Sequence, residues 1–389
     1  MSGIELYLEP VREAQLLADS GGESSFAHFA QVHSEGSFPD LKGTGIAFIG
    51  IREGRGTHEN EGCALAADAV RKALYPLMFH HEQLNLYDLG DVMPGHSLED
   101  SLFAIREVAL YLIERSIVPV FIGGPDLCSL AIYQAYCQLE RMCNVVTVDP
   151  CLDVGSIEEP LSSYNHIAKA IVHKPGFLFN LCNIGYQRYL VNPEMEATIR
   201  RMFFDMHRLG QVNADIMAME PLIRHGDVLT VDTRVVRRSD APGHAYALPN
   251  GLYGEQLCQL LSFAGLNERL GAVGIFEFNP SYDERGQTAQ LVAQSVWCLI
   301  DGYAHRRKED VYVDDSHFTR FRVAVKGGHE LVFYKSTLTD RWWLEVPYPS
   351  GAGNRYSRAH LVPCAYEDYL MACEEEVPDK WWQTYQKLT

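Results

Sequence analysis

The stretch VVTVDPCLD (145–153) decides how the chain is read, because four β-branched residues run straight into two carboxylates and a thiol. VVTV is short, continuously apolar and β-branched, which suits a parallel strand covered on both faces. Five further runs read the same way: IAFIGI (46–51), IVPVFIG (117–123), FLFNLC (177–182), VLTVD (228–232) and VGIFEF (273–278). Helical periodicity fills the gaps. Residues 99–116 set Leu102, Ile105, Ala109, Leu112 and Ile113 on one face, and 287–303 do so with Leu291, Val292, Val296, Leu299 and Tyr303. Alternating strands and helices over 43–310 predict an α/β domain around a mainly parallel sheet.

The flanks differ in character. Residues 1–42 read as an N-terminal arm, one helix and then a polar Gly/Ser-rich stretch. Residues 311–389 read as a C-terminal α+β extension. FTRFRVAV (318–325), ELVFYKS (330–336) and RWWLEVP (341–347) alternate at period two, as antiparallel strands with one wet face do. A Gly/Pro-rich loop, PYPSGAGN (347–354), precedes two helix-like segments, YEDYLMACEEE (366–376) and PDKWWQTYQKL (378–388). The pairs Trp342–Trp343 and Trp381–Trp382 either dock this tail on the main domain or offer an aromatic patch to a protein partner.

Of 389 residues, 47% are apolar, enough to bury a large core. The formal charge of −18 opposes contact with a phosphate backbone or an anionic membrane, so neither nucleic acid nor membrane is expected as a partner. The first residues, MSGIELYLEPVREAQ, lack the apolar core of a secretory signal. No run reaches the ~18 apolar residues of a membrane span. Ten cysteines are scattered and form no C-x-x-C, which reads as reduced thiols in the cytoplasm.

In open parallel sheets, ligands bind beyond the carboxyl ends of the strands. Those ends carry Asp126, Asp149, Asp153, Asp232 and Glu277, with Cys151 and Arg234 among them. Carboxylates gathered on one rim repel one another, so either a cation neutralises them or some point elsewhere. Oxygen-only ligation suits Mn²⁺, Mg²⁺ or Ca²⁺ rather than zinc. Taken singly, each aspartate also fits a helix-capping role.

These residues carry a family resemblance. GGPDL (123–127), DPCLD (149–153), TVDTRVVRRSDAP (230–242) and FEFNP (276–280) resemble, in order, the G-G-D-H-S, D-A-H-x-D, S-x-D-x-D-x-x-D-P and late-glutamate motifs of the ureohydrolases. That superfamily includes arginase, agmatinase and formimidoylglutamase. NEGCALAADAVRKALYPL (60–77) resembles its entry helix and IGYQ (184–187) its I-G-x-R, so the likeness covers about 45–305. Gln287-Thr288-Ala289 and SDAPG (239–243) are most similar to the formimidoylglutamase-like branch.

The resemblance implies a three-layer α/β/α fold and a homo-oligomer. It also implies two metal positions whose six ligands correspond here to Asp126, Asp149, Cys151, Asp153, Asp232 and Arg234. Both family histidines and the last aspartate are replaced. Asp126, Asp149, Asp153 and Asp232 are expected to hold one divalent ion (Mn²⁺ or Mg²⁺) or none. Cys151 and Arg234 close the second position, since a guanidinium cannot ligate. A salt bridge from Arg234 to Glu277, Asp232 or Asp149 is expected to fill that space. Glu277 matches the glutamate that grips a cationic substrate, and His166 is either the acid/base histidine or a structural one, with Tyr164 as the alternative match. The expected function is a catalytically impaired ureohydrolase-type protein serving as a binding, regulatory or assembly subunit. The alternative is a C–N hydrolase of a formimino or guanidino substrate with altered metal chemistry.

Overall fold

The computed structural model describes residues 3–12, 22–309, 311–312, 314–326, 329–348 and 360–388. Its main sheet has ten strands: Leu8–Glu9 (β1), Gln31–Val32 (β2), Gly45–Ile51 (β3), Asn85–Val92 (β4), Ile117–Ile122 (β5), Cys143–Val148 (β6), Leu178–Tyr186 (β7), Asp205–Arg208 (β8), Val228–Asp232 (β9) and Ala272–Phe276 (β10). β4, β3, β5, β10, β9, β6, β7 and β8 lie side by side in that order, all parallel. β1 pairs antiparallel with β4 and β2 parallel with it, so the N-terminal segment joins the sheet edge.

The apolar runs explain the layering. β3, β5 and β6 are buried along their whole length, and alternate residues face opposite sides. Ile46 and Phe48 enter one core cluster, while Ala47, Ile49 and Ile51 enter the other. Helices cover both faces, giving the α/β/α sandwich. The helix Leu98–Glu114 starts at a capping box: the Ser97 hydroxyl accepts from the Asp100 N–H at 3.2 Å and the Asp100 carboxylate accepts from the Ser97 N–H at 2.8 Å. Its buried face is the one read from periodicity, Leu102, Ile105, Ala109, Leu112 and Ile113. In the helix Gln287–Ala304 the expected face is buried at Leu291, Val292, Val296 and Leu299, with Tyr303 half-buried at its edge.

β4 is a strand that the apolar pattern does not announce, because NLYDLGDV carries Asp88 and Asp91 on its buried length. Two arginines neutralise them. Arg71 Nε lies 2.8 Å from Asp88 and its Nη1 2.6 Å from Asp91, while Arg52 Nε donates to Asp91 at 2.7 Å. Gly50 on β3 makes room, since a Cβ there would sit 1.9 Å from the Asp91 carboxylate. The helix expected ahead of the polar stretch of 1–42 falls largely on residues 13–21, outside the described residues; on either side stand a 3₁₀ turn at Gly3–Tyr7 and one helical turn at Phe26–Phe29.

The C-terminal sheet is antiparallel, in the order Phe318–Val325 (β11), His329–Ser336 (β12), Trp342–Val346 (β13) and His360–Cys364 (β14). The first three were expected; β14 was not. Most of the Gly/Pro-rich loop, 349–354, lies outside the described residues. Helices Tyr366–Cys373 and Asp379–Leu388 close the chain. The two tryptophan pairs divide: Trp342 and Trp343 are buried, whereas Trp382 is exposed. The Arg224 guanidinium reaches up from the main domain, 4.5 Å over the Trp343 ring and 3.2 Å from the Trp342 carbonyl, with Glu220 at 2.9 Å as its counter-ion. No helix among the described residues is long and apolar enough to cross a membrane.

Candidate functional site

The four adjacent central strands β5, β10, β9 and β6 each hand one carboxylate to the same rim: Asp126, Glu277, Asp232 and Asp149, respectively. Asp153 joins them from the loop after β6. The chain turns sharply to deliver them. Gly123 and Gly124 after β5 have φ of 91° and 74°, and Asp153 and Glu277 hold φ of 48° and 64°. For a side chain other than glycine that left-handed region costs roughly 1–2 kcal/mol, so two site residues are held there against local preference.

Glu277 is the best-held group. Its Oε2 accepts from Thr57 Oγ1 at 2.9 Å and Asn60 Nδ2 at 2.8 Å; its Oε1 accepts from Ser163 Oγ at 2.7 Å and the Asp126 N–H at 3.3 Å. His244 Nε2 lies 3.7 Å from Oε2, and its Nδ1 accepts the Tyr246 N–H at 2.8 Å, which fixes the ring. Burial favours the protonated acid, but the nearby His244 ring and the hydrogen bonds from Ser163 and Asn60 outweigh it and hold Glu277 down at about 2. It is a carboxylate at any ordinary pH. Sequence reading found Glu277 but missed Thr57, Ser163 and His244, which come from loops far along the chain. Asn60 and His244 do sit in the stretches read as the entry helix and beside SDAPG.

The other carboxylates are short of cations. Burial, then Glu277, Asp232 and Asp149, drive Asp126 far above the usual carboxylate range. Its Oδ1 is buried without a hydrogen-bond partner. Burial and Asp232 raise Asp149 to about 7 although Arg234 opposes the shift. Asp153 is likewise driven well above the usual carboxylate range, by burial first and then by Asp149 and Asp126. Arg234 is the one guanidinium lining this cavity. Its Nε lies 3.2 Å from Asp232 Oδ2, its Nη2 donates to Cys151 Sγ at 3.3 Å, and its N–H donates to Asp232 Oδ1 at 2.7 Å. Of the three partners expected for Arg234, Asp232 takes the salt bridge and Glu277 does not. Burial, then Asp153 and Asp149, push the Cys151 thiol up, so it is no thiolate.

His166 begins the helix His166–Val172, buried, with Nδ1 3.1 Å from the Ser163 carbonyl and 3.8 Å from Asp126 Oδ1. A carbonyl only accepts, so Nδ1 carries the proton. Burial lowers the ring to about 4, leaving it neutral at pH 7. Two trios bring their ligand atoms within 4.8 Å of one another, Asp126–Asp149–Asp232 and Asp126–Asp153–His166. Tyr164 is half exposed at the mouth, opposite His58 and Tyr246, whose rings stack at 5.6 Å. The enclosed space is about 20 Å³, room for about one water.

The sequence profile of the arginase family matches residues 44–301, about two thirds of the chain. The chain belongs to the arginase family. Its relatives include formimidoylglutamases from Staphylococcus epidermidis, 26% identical over 71% of this chain and 94% of theirs, and from Lysinibacillus sphaericus, 24% identical over 65% and 83%. Among solved structures, formimidoylglutamase from Bacillus subtilis superposes with a TM-score of 0.64 at 20% identity, covering 72% of this chain and 92% of its own. Trypanosoma cruzi formiminoglutamase with Mn²⁺ gives 0.63 at 19% identity, over 69% and 97%. At that identity the structures establish the arginase-like fold, and residues beyond the match form the additional C-terminal antiparallel sheet.

Proposed function

We propose that this arginase-family chain takes at most one divalent ion and serves as a binding, regulatory or assembly subunit rather than as a two-metal hydrolase. The observation that carries the reading is Arg234, whose guanidinium lies against Asp232 and Cys151 where a second ion would need ligands. A guanidinium stays protonated and repels a divalent ion, and Cys151 is held as a thiol.

One ion fits better. Asp126 offers a buried oxygen without a partner, and Asp149 and Asp232 converge on it. Asp126, Asp149, Asp153 and Asp232 would hold a Mn²⁺ or Mg²⁺, with His166 beside them as a nitrogen donor. Such an ion supplies Lewis-acid charge and acidifies a bound water. The protein's own contribution is an ionised Glu277 able to take a cationic group and a neutral His166. A second ion would find only Cys151 and Arg234 at the remaining ligand positions, and neither would hold it.

Elemental analysis after Mn²⁺ loading and desalting tests this. At most one ion per chain is expected, with no urea or formamide release from arginine, agmatine or formiminoglutamate. A stoichiometry near two would overturn the closed position. The variant Asp126→His/Cys151→His/Arg234→Asp restores the family's ligand types and should gain Mn²⁺ binding. Turnover by the natural chain above that of the variant would replace this reading with a C–N hydrolase using the present residues. Self-association, and a partner on the C-terminal extension beside exposed Trp382, belong to the same proposal; sedimentation at equilibrium giving a monomer would remove the first.

A further inference from the structure

We propose that the cavity at the carboxyl ends of β7 and β8 is a second binding site, for a small polyanion bearing phosphoryl groups or clustered carboxylates. It is an open cleft of about 450 Å³, within the range of small-molecule sites, and shares no lining residue with the Glu277 cavity. Tyr186 ends β7 and Arg208 ends β8, so it occupies the part of a parallel sheet where ligands bind. The loop Pro249–Tyr253 forms its other wall. The proposal does not depend on whether Arg234 closes the metal position.

Charge decides the class of ligand. The chain carries a formal −18, yet this cavity is lined by Arg188, Arg208 and Arg237. Glu196 is shared by Arg188 at 3.1 Å, Arg200 at 2.9 Å and Arg208 at 3.6 Å, and Arg237 pairs with Asp240 at 2.9 Å. Four guanidiniums against two carboxylates leave two positive charges unneutralised in these pairs. An ordinary solvated face in so acidic a chain has no reason to collect them.

The guanidiniums are also pre-positioned. Arg208 Nε donates to the Tyr186 hydroxyl at 3.1 Å, and Arg237 lies 3.9 Å over the Tyr253 ring. Arg188 uses Nε on Glu196 and keeps a largely exposed side chain, leaving its outer nitrogens for a ligand. Guanidinium forks match phosphate and carboxylate oxygens in pairs, and anchoring them beforehand lowers the entropy lost on binding. Gln187, whose side-chain amide donates to the Asn250 carbonyl at 3.1 Å, ties the two walls together.

Isothermal titration of the full chain with pyrophosphate and, separately, with the tricarboxylate tricarballylate tests the site. At least one should bind saturably, one per chain, and more weakly as salt is raised. Arg188→Gln should weaken that binding by about tenfold or more, whereas Arg106→Gln, at a surface arginine paired with Glu107, should leave it unchanged. Pyrophosphate alone binding identifies phosphoryl groups, and tricarballylate alone identifies clustered carboxylates. Failure of both to saturate by about 10 mM, weaker than a built site gives, overturns the proposal. Binding indifferent to Arg188→Gln also overturns it.

Discussion

At Arg234 a fixed positive charge sits among Asp149, Asp153 and Asp232, and that arrangement sets several measurable properties. Removing it strands buried carboxylates. Arg234→Met is expected to cost about 3 kcal/mol, the lower end of what breaking a buried pair costs because the side chain is slightly exposed. Urea denaturation with an unchanged midpoint would show that the residue is incidental. Asp149 adds a pH signature. Its folded value, about 7, lies above the ordinary 3.8, so the folded state holds this proton more tightly than the unfolded one. Its contribution is therefore fully present below pH ~4 and lost as pH rises through ~7. Chelator-treated protein should lose stability over that window, and saturating Mn²⁺ should flatten the slope by neutralising the carboxylate. No difference between the two conditions would mean that no ion binds there. The aspartates themselves were legible because each follows a strand whose apolar pattern is unambiguous. The donors to Glu277 were not, because Thr57 and Ser163 are ordinary loop residues until folding sets them against a glutamate more than a hundred positions away.

Among the elements of the main sheet, the mostly apolar central strands were readable, whereas β4 and β8, which carry charge along their length, were not. β4 hides behind Asp88 and Asp91, and its burial is tolerable because Arg71, on the helix before it, and Arg52 meet them. Arg71→Met should consequently destabilise by about 3–5 kcal/mol, seen as a lower melting temperature, while Gln294→Ala on the exposed side of the helix Gln287–Ala304 should change little. Equal effects would mean that the Arg71 cluster is not a structural element of the sheet. Helix pairing sets a second constraint. Gly265 and Gly302 let helices Gly254–Leu266 and Gln287–Ala304 touch backbone to backbone: a Cβ at Gly302 would lie 2.4 Å from the Ser262 carbonyl oxygen. Gly302→Ala is expected to cost about 1–3 kcal/mol through overpacking, although alanine is the better helix former. A gain in stability would show that the helices can part without loss. The periodicity of both helices was visible in the sequence. Their closeness was not, since a glycine in a helical pattern reads the same whether it faces water or another backbone.

Across the whole molecule, the period-two pattern of 318–347 foretold a second sheet but not its fourth strand, because HLVPC is short and interrupted by Pro363. Nor does the pattern say how the two sheets meet. Arg224 supplies that junction, with its counter-ion Glu220 on the main domain and its carbonyl acceptors, Trp342 and Cys364, on β13 and β14. Lys387 of the last helix reaches back to Asn180 of β7 at 2.5 Å.

That junction bears on cooperativity. A guanidinium whose hydrogen bonds are divided between a main-domain helix and the C-terminal sheet cannot lose that sheet without leaving its two outer nitrogens with nothing to donate to. The two sheets should therefore melt as one unit, giving a single calorimetric transition whose van't Hoff and calorimetric enthalpies agree. Arg224→Met keeps the apolar stem over Trp343 and removes the shared donor. In that variant the C-terminal sheet should come away first, as a separate low-temperature peak. A variant that still melts in one peak would mean that apolar contact alone couples the two sheets.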